Sequence, residues 1–418
     1  MSLQRLRGTK DIFGQDARLF EAIESAARDV FKTFGFREIR TPMLEEKELF
    51  TRALGAQTDV VQKEMYEFAD RSKMLVALRP EGTAGVVRAY LENHFDKTEG
   101  LSKFFYIGAM FRSERPQAGR LRQFHQIGVE TLGSASPYAD AEAIGCLAAL
   151  LDAVGVKDYR IKLNNLGTFE ERETFKKVLT GYFEPQRAAL CEDCKMRLSK
   201  NVFRLLDCKT EACRAIAAKA PAIMGHLGAA TKEHFEKVCG ALESLKIAYT
   251  VDPRMVRGLD YYTKTVFEVT HPSLGAQDAI AAGGRYDHLI ELFGGAPAGA
   301  VGFAVGVERV AMSLGAKEES APAQNSFFVV TMGPEAFERG FRILSELRSA
   351  GLEAAMDFDA KSLKSQLRAA DKARCRYVLI LGDNEIQKGV FSLKDMRQGS
   401  QEEGALKDVV SVLKRKAV

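Results

Sequence analysis

Residues 104–132, FFYIGAMFRSERPQAGRLRQFHQIGVETL, constrain the fold more tightly than any other part of the chain. An apolar run over 104–111 stops at Arg112. A loop holding Arg115, Pro116, Gly119, Arg120 and Arg122 follows, and a second strand-like run starts at Phe124. Two apolar runs joined by a turn-rich segment read as a β-hairpin, here with positive charge gathered at its tip. Guanidinium groups at a strand end suit phosphate, because arginine presents planar, bidentate donors that stay protonated. On the returning strand, period-two alternation puts Gln126, Gly128 and Glu130 on one face and Ile127 and Val129 on the other. A carboxylate and an amide on the inner face of an apolar strand require partners. The pattern predicts a pocket for a phosphate-bearing molecule beside a small polar one. The competing reading is a solvated edge hairpin with a basic tip, which leaves a glycine between two polar residues unexplained.

A chain of 418 residues suffices for two or three domains with a catalytic core. Its 46% hydrophobic and 28% charged content is that of a soluble globular protein. The net charge of +4 permits a nucleic-acid partner without requiring one, since a footprint on RNA can be local. The first residues, MSLQRLRGTKDIFG, carry no apolar signal-peptide core. No apolar run approaches the roughly 20 residues of a membrane span. A cytoplasmic location is therefore expected, where cysteines stay reduced. Cys146, Cys239 and Cys375 lie in apolar contexts and read as core packing. Cys191, Cys194, Cys208 and Cys213 are spaced C-x2-C-x13-C-x4-C, close to structural zinc spacing. The alternative is four ordinary cysteines in a helical insertion. With four thiolate ligands any zinc would be structural, because no coordination position stays open for chemistry.

Helical periodicity covers 15–33, Gly35 ends it, and a short strand over 36–41 stops at Pro42, a combination that often builds a subunit interface. A strand at 73–78 runs through Arg79 and Pro80 into Glu81, Gly82 and Thr83 before a helix over 84–95. At such a strand-to-helix turn these groups are free to face a ligand; the alternative is helix capping by Thr83. A helix at 139–154 and a strand at 159–163 precede a charged, helical stretch, 168–248, that reads as an insertion because strand patterning resumes at Val256. Arg257 beside Gly258 puts a cation on a turn that opens the strand 263–270. GGRYD (283–287) and GFAVGVER (302–309) follow, and the latter matches neither a GxxxxGK[ST] nor a GxGxxG nucleotide motif. It reads as a strand, a glycine and a helix with Arg309 in its first turn. A cation there opposes the helix dipole unless an anion joins it. KEESAPAQ (317–324) reads as a linker, and alternating β and α segments beyond it predict a separate small α/β domain with a mostly parallel sheet.

Taken together, RGTKDI (7–12), RPEGT (79–83), FRSERPQAGRLRQFHQIGVE (111–130), RGLDYY (257–262), GGRYD and GFAVGVER resemble the class II aminoacyl-tRNA synthetases over essentially the whole chain. RGLDYY and GGRYD are particular to the histidyl-tRNA synthetase family. The resemblance implies an α+β fold: a class II antiparallel-sheet catalytic core with a helical insertion, plus a C-terminal α/β anticodon-binding domain. The implied division is 1–167 and 250–316 for the core, 168–249 for the insertion, 317–324 for the linker and 325–418 for the anticodon-binding domain. It implies ligation of L-histidine to tRNA(His) through histidyl-adenylate, with ATP and Mg2+, by a homodimer with no membrane association.

By the same resemblance, Arg112 clamps the α-phosphate, Arg309 holds the γ-phosphate end, and Arg257 faces the α-phosphate and the histidine carboxylate, doing part of the work that other class II enzymes leave to a metal ion. Gln126 would contact ATP as well as histidine. Glu81, Gly82, Thr83 and Gln126 would surround the amino acid's ammonium group. Glu130 and Tyr262, with Tyr261 or Tyr286 nearby, would read the imidazole. Arg115, Gln117 and Arg122 would face the tRNA acceptor end. Ser113, Leu121 and Gly14 depart from the family pattern, and zinc does not follow from it. The rival reading is a non-catalytic relative serving as a regulatory subunit of histidine biosynthesis. Such a protein would lack the C-terminal domain and lose catalytic residues, whereas 325–418, Arg112, Arg257 and Arg309 are all present. A generic RNA-binding protein would need a denser basic surface.

Overall fold

In the computed structural model, residues 3–275, 278–315 and 326–417 are described, and the expected linker at 317–324 lies outside them. Two compact units span 1–316 and 317–418. The strands of the first unit are β1 (Arg37–Glu38), β2 (Leu44–Glu46), β3 (Tyr66–Ala69), β4 (Leu75–Leu78), β5 (Ser102–Phe111), β6 (Gln123–Leu132), β7 (Arg160–Asn165), β8 (Thr250–Val251), β9 (Thr263–Thr270), β10 (Ala279–Arg285) and β11 (Ala300–Gly306). Among the described residues, eight of them form one sheet in the order β1-β5-β6-β11-β10-β9-β7-β8, and β2-β4-β3 form a small second sheet. The large sheet is antiparallel except where β1 joins β5 and β8 joins β7. The strand expected at 36–41 is therefore only two residues long and pairs at an edge.

Alternation decides which face does what. Ile127, Val129, Phe267, Val301, Phe303 and Val305 point to one face and are buried beneath helices Gly14–Thr33, Pro137–Val154, Ala229–Ser244 and Val307–Ser313. Ile23, Ala27 and Phe31 stand one turn apart on the first of these helices, and Phe31 meets Phe105 with ring centroids 5.3 Å apart. Each large apolar side chain buried this way contributes about 1.5–3 kcal/mol. That face is a conventional core. The opposite face carries Phe104, Tyr106, Val266 and the polar row on β6, and it is partly covered by helices Lys47–Leu54 and Thr83–Glu92.

Residues 168–227 are mainly short helices around a separate apolar cluster containing Phe175, Leu179, Phe183, Leu198 and Leu205, whereas helix Ala229–Ser244, inside the stretch expected to be an insertion, packs on the main core through Phe235, Val238 and Leu242. In the second unit, strands Phe327–Met332, Ala354–Met356 and Tyr377–Gly382 are parallel, as the β–α alternation predicts. Val390–Asp395 and Gln401–Ala405 then add two antiparallel pairings, so the sheet is mixed rather than mostly parallel. The short connection between those two strands permits only an antiparallel hairpin, and the second of them, QEEGA, is an exposed edge with no apolar alternation. Among the described residues, no helix is long and apolar enough to cross a membrane.

Candidate active site

The floor of the site is the inner row of β6. On β5, Gly108, Tyr106 and Phe104 stand opposite Gln126, Gly128 and Glu130; on β11, Gly306, Ala304 and Gly302 do so. Small residues are placed where neighbouring side chains need room. The Tyr106 ring lies against both Gly82 and Gly128, the Glu130 carboxylate lies against Gly302, and the Arg79 guanidinium lies against Gly108. The glycine between two polar residues is thus the seat of an aromatic ring. The edge-hairpin reading fails, because β6 is paired on both sides and Glu130 is 1% exposed. A Gly302→Ala substitution would drive a methyl group into the Glu130 carboxylate and the Val129 carbonyl. Overpacking of this kind costs about 1–3 kcal/mol. A lower Tm is the expected readout, and an unchanged Tm would contradict the fit.

Around Glu130 the structure gathers Glu81, Thr83, Tyr106, Tyr261, Tyr262 and Tyr286, all buried. Glu130 accepts from the Thr83 hydroxyl at 2.7 Å and, in a short bond, from the Tyr286 hydroxyl. Burial pushes its pKa up to about 8, even with these hydroxyls opposing the shift. Glu81 closes the turn after β4. Its carboxylate accepts the backbone N–H groups of Thr83 (2.7 Å) and Ala84 (3.0 Å), and burial still raises its pKa. Capping of the Thr83–Glu92 helix therefore falls to Glu81, next to the positive end of the helix dipole. Thr83 is the first helical residue and gives its hydroxyl to Glu130 instead. The Tyr261 ring lies tilted against Tyr262, with centroids 4.6 Å apart, and edge-on to Tyr286 at 5.6 Å. Of the tyrosines, Tyr286 rather than Tyr262 holds Glu130.

Next to this cluster is a cavity of 1030 Å³ lined by Arg112, Arg120, Arg257, Arg309, Gln126, Glu64, Glu114 and Glu268, among others. Arg112 follows β5 directly; its Nε donates to the Pro80 carbonyl at 2.9 Å, and its guanidinium sits 5.4 Å from the Phe124 ring centroid. Arg257 donates to Glu268 at 2.6 Å and lies 6.0 Å from the Tyr262 centroid, so it bridges the cavity and the buried cluster. Arg309, in the first turn of the Val307–Ser313 helix, donates to the carbonyls of Gly119 (3.2 Å) and Ala279. Burial, with the Arg120 guanidinium beside it, pulls the Arg309 pKa below its ordinary value. Two adjacent arginines at a cavity wall favour an anion between them. The Gln126 amide oxygen is buried and has no hydrogen-bond partner among the described residues.

Arg115 and Gln117 are exposed and Arg122 is half-buried on the hairpin loop, outside the cavity wall. The four clustered cysteines meet in the helical segment with their sulfurs all within 4.8 Å. Tyr106, Glu268 and Glu114 were not singled out from the sequence, and Arg120 entered only as part of the basic hairpin tip. Only the Tyr106–Gly128 pairing, itself a consequence of hairpin register, could have identified the tyrosine. Arg285 of GGRYD plays no part in the cavity. It is fully buried, donating to the carbonyls of Ser134 (2.8 Å) and Ser136 (2.9 Å) and pairing with Asp140 and Asp287, which fixes the strand that presents Tyr286.

A histidyl-tRNA synthetase family model matches residues 8–310, and an anticodon binding domain matches residues 302–416. The histidine–tRNA ligase of Syntrophotalea carbinolica is 44% identical over 416 residues, covering 100% of this chain and 99% of that protein. The histidine–tRNA ligase of Desulfosudis oleivorans is 46% identical over 413 residues, covering 98% and 97%. Among solved structures, apo histidyl-tRNA synthetase of S. aureus matches with a TM-score of 0.81 at 31% identity, covering 99% of this chain and 100% of that one.

Proposed function

The chain belongs to the histidyl-tRNA synthetase family, and from that premise we propose how its residues divide the work of joining histidine to tRNA(His). The activity is ATP-dependent histidine–tRNA ligation by a class II α+β core followed by an anticodon-binding domain. The regulatory-subunit alternative is not favoured, because full-length relatives are ligases and the anticodon-binding segment is present. We assign 1–167 and 250–316 to the catalytic core, 168–249 to an insertion and 325–418 to anticodon recognition.

In the first step a carboxylate oxygen of histidine attacks the α-phosphorus of ATP, and pyrophosphate leaves. In the second, the terminal ribose hydroxyl of the tRNA attacks the activated carbonyl, and AMP leaves. Negative charge builds on phosphate oxygens in the first transition state, and cations already in place stabilise it there without reorganising. Arg112 holds the α-phosphate. Arg257 spans the α-phosphate and the histidine carboxylate. Arg309, with Arg120, takes the γ-phosphate end. Gln126, whose buried amide oxygen has no partner among the described residues, serves the substrate ammonium along with Glu81 and Thr83. Gly82 admits the Tyr106 ring. Glu130, flanked by Tyr286, Tyr262 and Tyr261, reads the imidazole; an apolar isostere would leave these buried groups unpaired and be rejected strongly. What carries this reading is Glu130 itself, a buried carboxyl on the same strand face as the Gln126 amide at the wall of an arginine-lined cavity.

The family uses ATP with Mg2+, and Glu114 and Glu268 at the cavity offer the hard carboxylate oxygens such an ion takes. When bound, the ion neutralises phosphate charge. A structural zinc on the four cysteines would take no part in either step. The exposed loop residues Arg115 and Gln117, with Arg122, would meet the acceptor end of the tRNA. A cytoplasmic homodimer fits the family, and Met43, Leu44, Phe68, Met74 and Leu75, all about half exposed on or beside the small sheet, offer an apolar surface for a second copy. Exchange of labelled pyrophosphate into ATP tests the activity: it should depend on histidine. A folded protein without histidine-dependent exchange would return the regulatory alternative to the front.

A further inference from the structure

Cys191 precedes helix Glu192–Lys200, whose first turn holds Cys194; Cys208 follows the turn Val202–Leu205, and Cys213 lies in helix Glu211–Ala217. Four sulfurs from three separate pieces of chain lie within 4.8 Å of one another, and those of Cys191 and Cys208 are 3.9 Å apart. In a tetrahedral site with metal–sulfur bonds of about 2.3 Å, sulfurs stand roughly 3.8 Å apart. A disulfide would need about 2.05 Å. The Cys191 backbone N–H donates to the Cys213 sulfur at 3.2 Å, the type of outer bond that orients a thiolate ligand. Three of the four cysteines are buried. The helical pieces within and between them are only 9, 4 and 7 residues long, below the roughly 12–15 residues at which a helix begins to hold by itself. Such a segment gains most from a metal that ties its pieces together.

We propose that Cys191, Cys194, Cys208 and Cys213 bind one zinc ion, and that this ion holds residues 201–209 against the catalytic cavity. Four soft thiolates in tetrahedral array select zinc. The chain between Cys194 and Cys208 touches the catalytic core directly. Arg204 donates to Asp59 at 3.0 Å and lies against Gly258, and Asn201 donates to Asp260 at 3.4 Å. Arg204, Leu206, Asp207 and Lys209 line the same cavity as Arg257. The thiolate site therefore anchors one wall of that cavity next to the turn bearing Arg257, at a place where it contributes no reacting group.

The test uses the full-length protein purified without chelator. Elemental analysis should find about one zinc per chain. Titration with a mercurial should release that zinc as the four thiols become reactive. A Cys194→Ser, Cys208→Ser double variant should lose the zinc, and Cys239→Ser should keep it. On zinc release, hydrogen exchange should rise in 191–213 and in the 257–262 turn but stay unchanged in 326–417. Absent zinc, iron in its place, or zinc retained by the double variant would overturn the site. Unchanged exchange at 257–262 would overturn the link to the cavity. If the double variant does not fold, the wild-type stoichiometry and thiol titration decide: four thiols reacting with no zinc released refutes the proposal.

Discussion

Arg257→Ala should slow adenylate formation roughly 10²–10³-fold while weakening histidine binding less than about tenfold, the effect expected of a preorganised donor aimed at transition-state charge. Glu268 grips the guanidinium at 2.6 Å and the Tyr262 ring lies beside it, so the cation is positioned before substrate arrives. It sits where the buried polar cluster meets the arginine-lined cavity, which suits the proposed span from the histidine carboxylate to the α-phosphate. A ground state shared between two anions gains less from it than a transition state in which they join and charge accumulates. Single-turnover adenylate formation and equilibrium binding of histidine separate the two quantities. Equal losses in both would mean uniform binding and remove the transition-state role. Arg257→Lys should recover little, because a point charge replaces a planar fork.

Glu130→Gln should lower kcat/KM for histidine roughly 10- to 200-fold, because a bound imidazole can take the Glu130 proton and gain a charge-assisted hydrogen bond of about 1.5–3 kcal/mol that an amide cannot form. The same substitution should change the pH dependence of stability in a defined direction. Glu130 is held at about 8 in the folded protein by burial, well above the ordinary glutamate value of 4.5. Between those values the folded state keeps a proton that the unfolded state releases. Stability is therefore fullest below the ordinary value and is lost as pH rises through about 8. Glutamine carries no such charge. The Tm of the variant should match the wild type near the ordinary glutamate value, exceed it increasingly up to about pH 8, and keep that advantage above it. A Tm difference independent of pH, or one growing towards acid, would show that Glu130 is not the buried group described.

Much of this site could be read from the residues before any fold was known. The 104–132 hairpin, the inward row of Gln126, Gly128 and Glu130, and the awkward cation at Arg309 all follow from alternation and the helix dipole. Other features depend on contacts that periodicity does not encode. Tyr106 looked like any aromatic in an apolar strand until the register set it over Gly128. The bond from Tyr286 to Glu130 joins residues 156 apart in sequence, across strands that are neighbours only through β11. Thr83 is a good helix cap by residue type, yet Glu81 takes that place because a buried carboxylate gains more from two backbone donors and a helix dipole than from solvent-excluded isolation. The cysteine spacing was visible from the start, whereas the meeting of the four sulfurs, and the position of their segment beside Asp59 and Asp260, required the packing of the helical segment.

On the proposed division of the site, the return strand of one hairpin serves the amino acid while arginines at the cavity wall serve the nucleotide. The most direct test is to titrate histidine and ATP separately into two variants and record each Kd. Glu130→Gln should weaken histidine at least tenfold and leave ATP unchanged. Arg309→Ala should weaken ATP by ~10-fold or more and leave histidine unchanged, which also shows that the variant is folded. If each variant loses both ligands equally, or if the losses are exchanged, the division of the site described here is wrong.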